Sequence, residues 1–138
     1  GSRAVHLLLQ PTFPRGDLAA HWGFKSVSGQ RIPDLVVAWE QDGKRGFFIL
    51  DAKYRVSREN VLDGMASAHI YRDALRWHGA PPRFALLLLP AEGEAPWLAD
   101  PAFQRREGVG AVQIGDGLLE LIRAAVAVDP APRASSRD

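Results

Sequence analysis

A hairpin that can be written residue by residue constrains this chain more than any other feature. Leu35 to Glu40 (Leu-Val-Val-Ala-Trp-Glu) and Arg45 to Lys53 (Arg-Gly-Phe-Phe-Ile-Leu-Asp-Ala-Lys) read as two strands. Asp42-Gly43 lies between them, and Asp-Gly suits the positive φ angles of a two-residue hairpin turn. A turn centred there pairs Gln41 with Lys44 and Glu40 with Arg45, so Lys44 and Arg45 serve the hairpin. Continuing outward, Val36 faces Ile49, Leu35 faces Leu50, and Asp34 faces Asp51. Directly opposed residues have Cβ atoms about 4.5–5.5 Å apart. Two carboxylates so placed repel each other unless a cation or a proton sits between them. Lys53, two residues beyond Asp51, projects from the same face of its strand.

Two acids and a lysine at the end of an apolar hairpin are the chemistry of a divalent-metal, phosphodiester-cleaving site. Mg²⁺ (or Mn²⁺) wants oxygen ligands and usually keeps several waters. Asp34 and Asp51 supply carboxylates, and the backbone carbonyl of Ala52 supplies a third oxygen. Such a cation lowers the pKa of a bound water and polarises phosphate. A lysine beside two carboxylates keeps its proton, so Lys53 is expected to stabilise charge on the reacting phosphate rather than act as a base. The bland alternative makes Asp34 a turn residue and Asp51 a solvated strand end. The facing register and Lys53 together favour the metal site.

The 138 residues read as one domain over 1–129, with 130–138 a disordered tail. Net charge is +1, so any nucleic-acid affinity must come from local clusters such as Arg55, Arg58, Arg72, Arg76 and Arg83. The absence of cysteine excludes disulfides and thiolate metal sites and fits a cytoplasmic protein. The longest apolar run, Phe84 to Leu89, is too short to span a membrane and reads as a buried central strand. Strands are also expected at Ala4–Gln10, at Phe24–Val27 and at Gly110–Ile114. Pro14–Gly23 and Ala91–Gly108 read as loops.

Ser57 reads as the N-cap of a helix reaching about Trp77, and Leu118–Val128 reads as a closing helix. On the first helix, Val61, Ala68, Tyr71, Ala74 and Leu75 share an apolar side. His69, Arg72, Asp73 and Arg76 share the other. His69 reaches the scissile phosphate or a second metal, or bonds to Asp73 one turn on. Arg72 and Arg76 contact phosphate beside the metal site or form a solvated face. Trp22, Trp39 and Trp77 read as core. Hairpin, helix and buried strand together make an α/β fold, a mixed sheet with helices packed on it.

Pro33-Asp34 followed by Asp51-Ala52-Lys53 resembles the motif of the PD-(D/E)xK nuclease superfamily. Asp51-Ala52-Lys53-Tyr54-Arg55 is similar to the "DAKY" signature of a bacterial branch related to McrC, the nuclease subunit of a restriction system. Ala68-His69-Ile70-Tyr71-Arg72-Asp73-Ala74-Leu75 is similar to that branch's "MHAYRDA" helix, and Glu107-Gly108-Val109-Gly110-Ala111 to its "GVGA" strand. The resemblance implies a restriction-endonuclease-like mixed central sheet flanked by helices, cleaving DNA with Mg²⁺ or Mn²⁺. It implies Asp34, Asp51 and Lys53 as the metal and catalytic core, with His69 and Tyr71 at auxiliary helix positions. Arg55, Arg72 and Arg76 are the expected nucleic-acid contacts. It further implies a C-terminal domain excised from a longer protein, acting beside a nucleotide-driven motor subunit. Superfamily members often carry an acid on a helix before the hairpin. Here Asp17 is the only acid before Asp34, in a segment that hardly reads as a helix.

Overall fold

The hairpin forms as its turn dictates. In the computed structural model, which describes residues 3–127, Asp42 and Gly43 take φ angles of 53° and 82°. These are the two left-handed residues that a type I′ turn requires. They join β3 (Leu35–Gln41) to β4 (Lys44–Ala52), with Gln41 opposite Lys44, Glu40 opposite Arg45 and Leu35 opposite Leu50. Arg45 Nε bonds Glu40 Oε2 at 2.7 Å across the strands. That pair is exposed and is worth at most about 1 kcal/mol.

Five strands build the main sheet, in the order β1 (Arg3–Leu9), β3, β4, β6 (Ala85–Leu89), β7 (Val109–Gln113). β1 (Arg3–Leu9) pairs antiparallel with β3. β6 (Ala85–Leu89) and β7 (Val109–Gln113) extend the sheet parallel to β4. The sheet is therefore mixed, and β6, buried along its whole length, is the apolar run between prolines.

The chain passes from β4 to β6 through α1 (Arg58–Ala74), capped by Ser57, whose hydroxyl accepts the Asn60 N–H at 3.2 Å. The expected extension of this helix to Trp77 is corrected. Leu75–Trp77 form a short strand, β5, paired antiparallel with β2 (Phe24–Ser26). The reason is a local period of two: Leu75 and Trp77 are buried and Arg76 between them is not. Burial of Trp77 against Phe24 and Phe47 outweighs continuation of the helix.

The expected loop over 91–108 is also corrected. It holds a 3-10 turn at Pro96–Ala99 and a helix, α2 (Pro101–Glu107). Asp100 caps α2 by accepting the Ala102 N–H, and Gly108 ends it at a φ of 75°. α3 (Asp116–Ala127) follows β7. Val128 and the tail at 130–138 lie outside the described residues.

Strand alternation divides the interior into two layers. Val36, Phe47, Ile49 and Leu87 pack toward α1, with Phe13, Phe24 and Trp77. Val37, Trp39, Phe48, Leu50 and Leu86 pack toward α3. Trp39 and Trp77 are core, as expected. Trp22 is not: it is 46% exposed, stacked on Trp77 with its edge toward His6. Among the described residues no helix is long and apolar enough to cross a membrane.

Candidate active site

The alternation that sends Phe47 and Ile49 toward α1 sends Asp51 and Lys53 there too. Continuing the register one step past Leu35–Leu50 sets Asp34 against Asp51. Asp34 follows the buried Pro33 and reaches across the strand end, where its Oδ2 accepts the Ala52 backbone N–H at 2.9 Å. This bond holds Asp34 on the β4 side and occupies one of its two oxygens.

Asp51 is 6% exposed. Lys53 Nζ stands 3.0 Å from its Oδ2, an ion pair without the alignment of a hydrogen bond, so that buried oxygen keeps no aligned donor. Burial pushes the Asp51 carboxyl above its usual range. The Lys53 ammonium opposes that rise, and the Asp34 carboxyl adds to it. Lys53 lies just past β4, with its N–H donated to Leu88 O at 3.0 Å and a third of its side chain exposed. Its stem crosses Gly64 of α1, where a Cβ would meet Lys53 Cε at 3.4 Å.

Tyr71 is half-buried against the α1-side core. Burial raises its phenol pKa, the negative charges of Asp51 and Asp34 raise it further, and Arg31 lowers it. The phenol thus lies in the field of both carboxylates, and Arg31 brings a cation to the same neighbourhood. His69 is placed elsewhere. Two residues before Tyr71, it is about 160° away around the helix. It lines a groove with Arg72, Trp97 and Arg106 between α1 and α2. Arg72 lies over Gly108, where a Cβ would stand 2.6 Å from its Nε. Arg76 is on β5 rather than on the His69 face of α1, a consequence of the early helix end. Arg55 is exposed next to Tyr54, which is 91% exposed. Asp17 pairs with Arg15 at 2.6 Å on the surface.

The structure therefore gathers Asp34, Asp51, Ala52 and Lys53 and sets Tyr71 near them; it does not gather His69, Arg72 or Arg76. Arg31 and Gly64 escaped the sequence reading. A glycine inside a helix costs about 1 kcal/mol relative to alanine, and that cost was the available signal for a close approach at position 64. Nothing local announced Arg31, which is placed by its bridge to Phe13.

Among the described residues no three His, Cys, Asp or Glu side chains converge. A cation here would rest on two carboxylates, the Ala52 carbonyl and water. The donors suit a hard cation: all are oxygens, two carry charge, and buried Asp51 Oδ2 lacks an aligned donor. No family model matches the chain, and no curated protein or solved structure does either.

Proposed function

We propose that this chain is a metal-dependent nuclease domain of PD-(D/E)xK type, related to the McrC-like restriction branch, that hydrolyses DNA phosphodiester bonds. What carries the reading is the convergence of Asp34, Asp51 and Lys53, with the Lys53 ammonium 3.0 Å from buried Asp51 Oδ2, which lacks an aligned hydrogen-bond donor. Mg²⁺ or Mn²⁺ held by Asp34, Asp51 and the Ala52 carbonyl would supply Lewis acidity and a water of lowered pKa. The chain's own residues do the rest. Asp34 is fixed by the Ala52 N–H, so the two carboxylates are preorganised. Lys53 directs its ammonium at negative charge growing on the phosphate. Tyr71, its phenol held protonated, donates a hydrogen bond at the rim. Exposed Arg55 meets the flanking backbone, and exposed Tyr54 offers a stacking face for a base. In this reading the domain works in the cytoplasm beside a nucleotide-driven motor subunit.

Incubation of the chain with plasmid and oligonucleotide DNA in Mg²⁺ and in Mn²⁺ tests this. Metal-dependent cleavage that Asp51→Asn abolishes supports it. Metal-free activity, or an active Asp51→Asn variant, refutes it. DNA binding without cleavage in either metal identifies a non-catalytic binding or assembly module instead.

A further inference from the structure

The early end of α1 creates a second charged feature. In the β2–β5 pair, Lys25 stands directly opposite Arg76. Their neighbours Phe24, Ser26, Leu75 and Trp77 are buried, so both cations project from the outer face of this small sheet. Opposed like charges cost stability in a strand pair. No carboxylate forms an ion pair with Lys25 or Arg76 among the described residues; the Arg76 guanidinium spends one N–H on the Leu75 carbonyl. Both cations line a cleft of about 570 Å³ together with Arg15, His78 and a single acid, Asp17. Asp17 already bonds Arg15, and Lys25 is near enough to help hold its carboxyl below the usual range. Lys25 and Arg76 thus form an excess of positive charge around a cavity.

We propose that this cleft binds a phosphate of the nucleic-acid backbone, away from the one that is cut; the inference rests on the nuclease reading above. An arginine fork and a lysine point charge are the two side chains that suit a phosphate. Placement favours nucleic acid over a small anion. The inner face of the β2–β5 sheet packs into the α1-side core, so the cleft lies on the same side of the main sheet as Asp34 and Asp51. Ala74, the last residue of α1, holds β2 through the Val27 N–H, and Gly64 lies against Lys53. Ten helical steps separate Gly64 from Ala74, about 15 Å. A duplex, which carries one phosphate per about 3.4 Å of helix axis on each strand, covers that distance along its axis in roughly four or five base pairs.

Fluorescence anisotropy of a labelled DNA duplex against the whole chain, in EDTA and over a range of salt, tests the cleft. Lys25→Gln with Arg76→Gln is expected to lower the log–log salt slope by about 1.8, two contacts at about 0.9 each. The variant keeps its melting temperature or gains, because a like-charge pair is relieved. An unchanged slope overturns the proposal, as does failure of the parent to bind DNA. Cleft-dependent capture of poly-glutamate with no DNA binding makes it an acidic-peptide site and also overturns it. If DNA binding responds to these substitutions while no metal yields cleavage, the nuclease reading falls and the cleft stands.

Discussion

The stem of Lys53 runs across Gly64 in the middle of α1, where a side chain would press on it. A Cβ there would stand 3.1 Å from Leu87 Cδ1 and 3.4 Å from Lys53 Cε. Gly64→Val is therefore expected to displace the ammonium from Asp51 while leaving the carboxylates in register. Misplacement by about 1 Å costs on the order of 100-fold in rate. The expected result is a fall of roughly that size in turnover with Mn²⁺ affinity retained. Equal turnover in parent and Gly64→Val would mean that the position of Lys53 is not set by α1.

Lys53→Ala removes the charge itself. It should lower turnover by about 10²–10³, the usual loss for one preorganised stabilising group. DNA binding, measured without metal, should remain near the parent's. A variant that binds poorly and turns over normally when saturated would reassign Lys53 to ground-state binding.

Asp51→Asn should weaken Mn²⁺ binding at least about tenfold, some 1.4 kcal/mol, by calorimetry. The same change makes a prediction about the metal-free protein. The folded Asp51 carboxyl is raised, chiefly by burial, above an ordinary value of 3.8. Between that value and the folded pKa, the folded state binds more protons than the unfolded one. Stability from this group therefore falls as pH rises through the window and stays low above it. Melting curves of parent and Asp51→Asn without metal should converge toward the acid end and separate above it, with the variant the more stable. Separation in the opposite sense would show that the Lys53 ion pair more than offsets the burial of Asp51.

Gly46 tests the frame rather than the chemistry. A Cβ on it would sit 2.5 Å from Cζ2 of the fully buried Trp39, its partner across the hairpin. Gly46→Ala should cost about 1–3 kcal/mol through overpacking. Chemical denaturation will show this as a lower midpoint with an unchanged slope.

The hairpin was legible to the residue because an Asp-Gly turn leaves no freedom in register. Asp34, Asp51 and Lys53 came with it, each counted outward from Asp42-Gly43. The buried strand at 85–89 was legible because nothing polar interrupts it. What was hidden depends on contacts between distant segments. Leu75–Trp77 continue a helical pattern over a few residues, and only pairing with Phe24–Ser26 turns them into a strand. That pairing moved Arg76 off the helix. His69 and Tyr71 both stood as auxiliary residues, yet two positions apart on one helix cannot point to one site. α2 was missed although Asp100-Pro101 and Gly108 mark its two ends.

The turn at Asp42-Gly43 also fixes which changes of length the site survives. Seventeen steps of chain separate Asp34 from Asp51, and they fold back on themselves with no residue to spare. Parity follows from the pleat: one residue added inside β4 past Ile49 would swing Asp51 to the α3 side, among Leu50 and Leu86, and leave Asp34 facing an apolar neighbour. A residue pair added symmetrically at the tip, one to each strand, would lengthen the hairpin and keep the acids face to face. Descendants of this sequence are free to vary the reach of the hairpin in matched pairs, while a single residue added within one strand parts the facing acids by geometry alone.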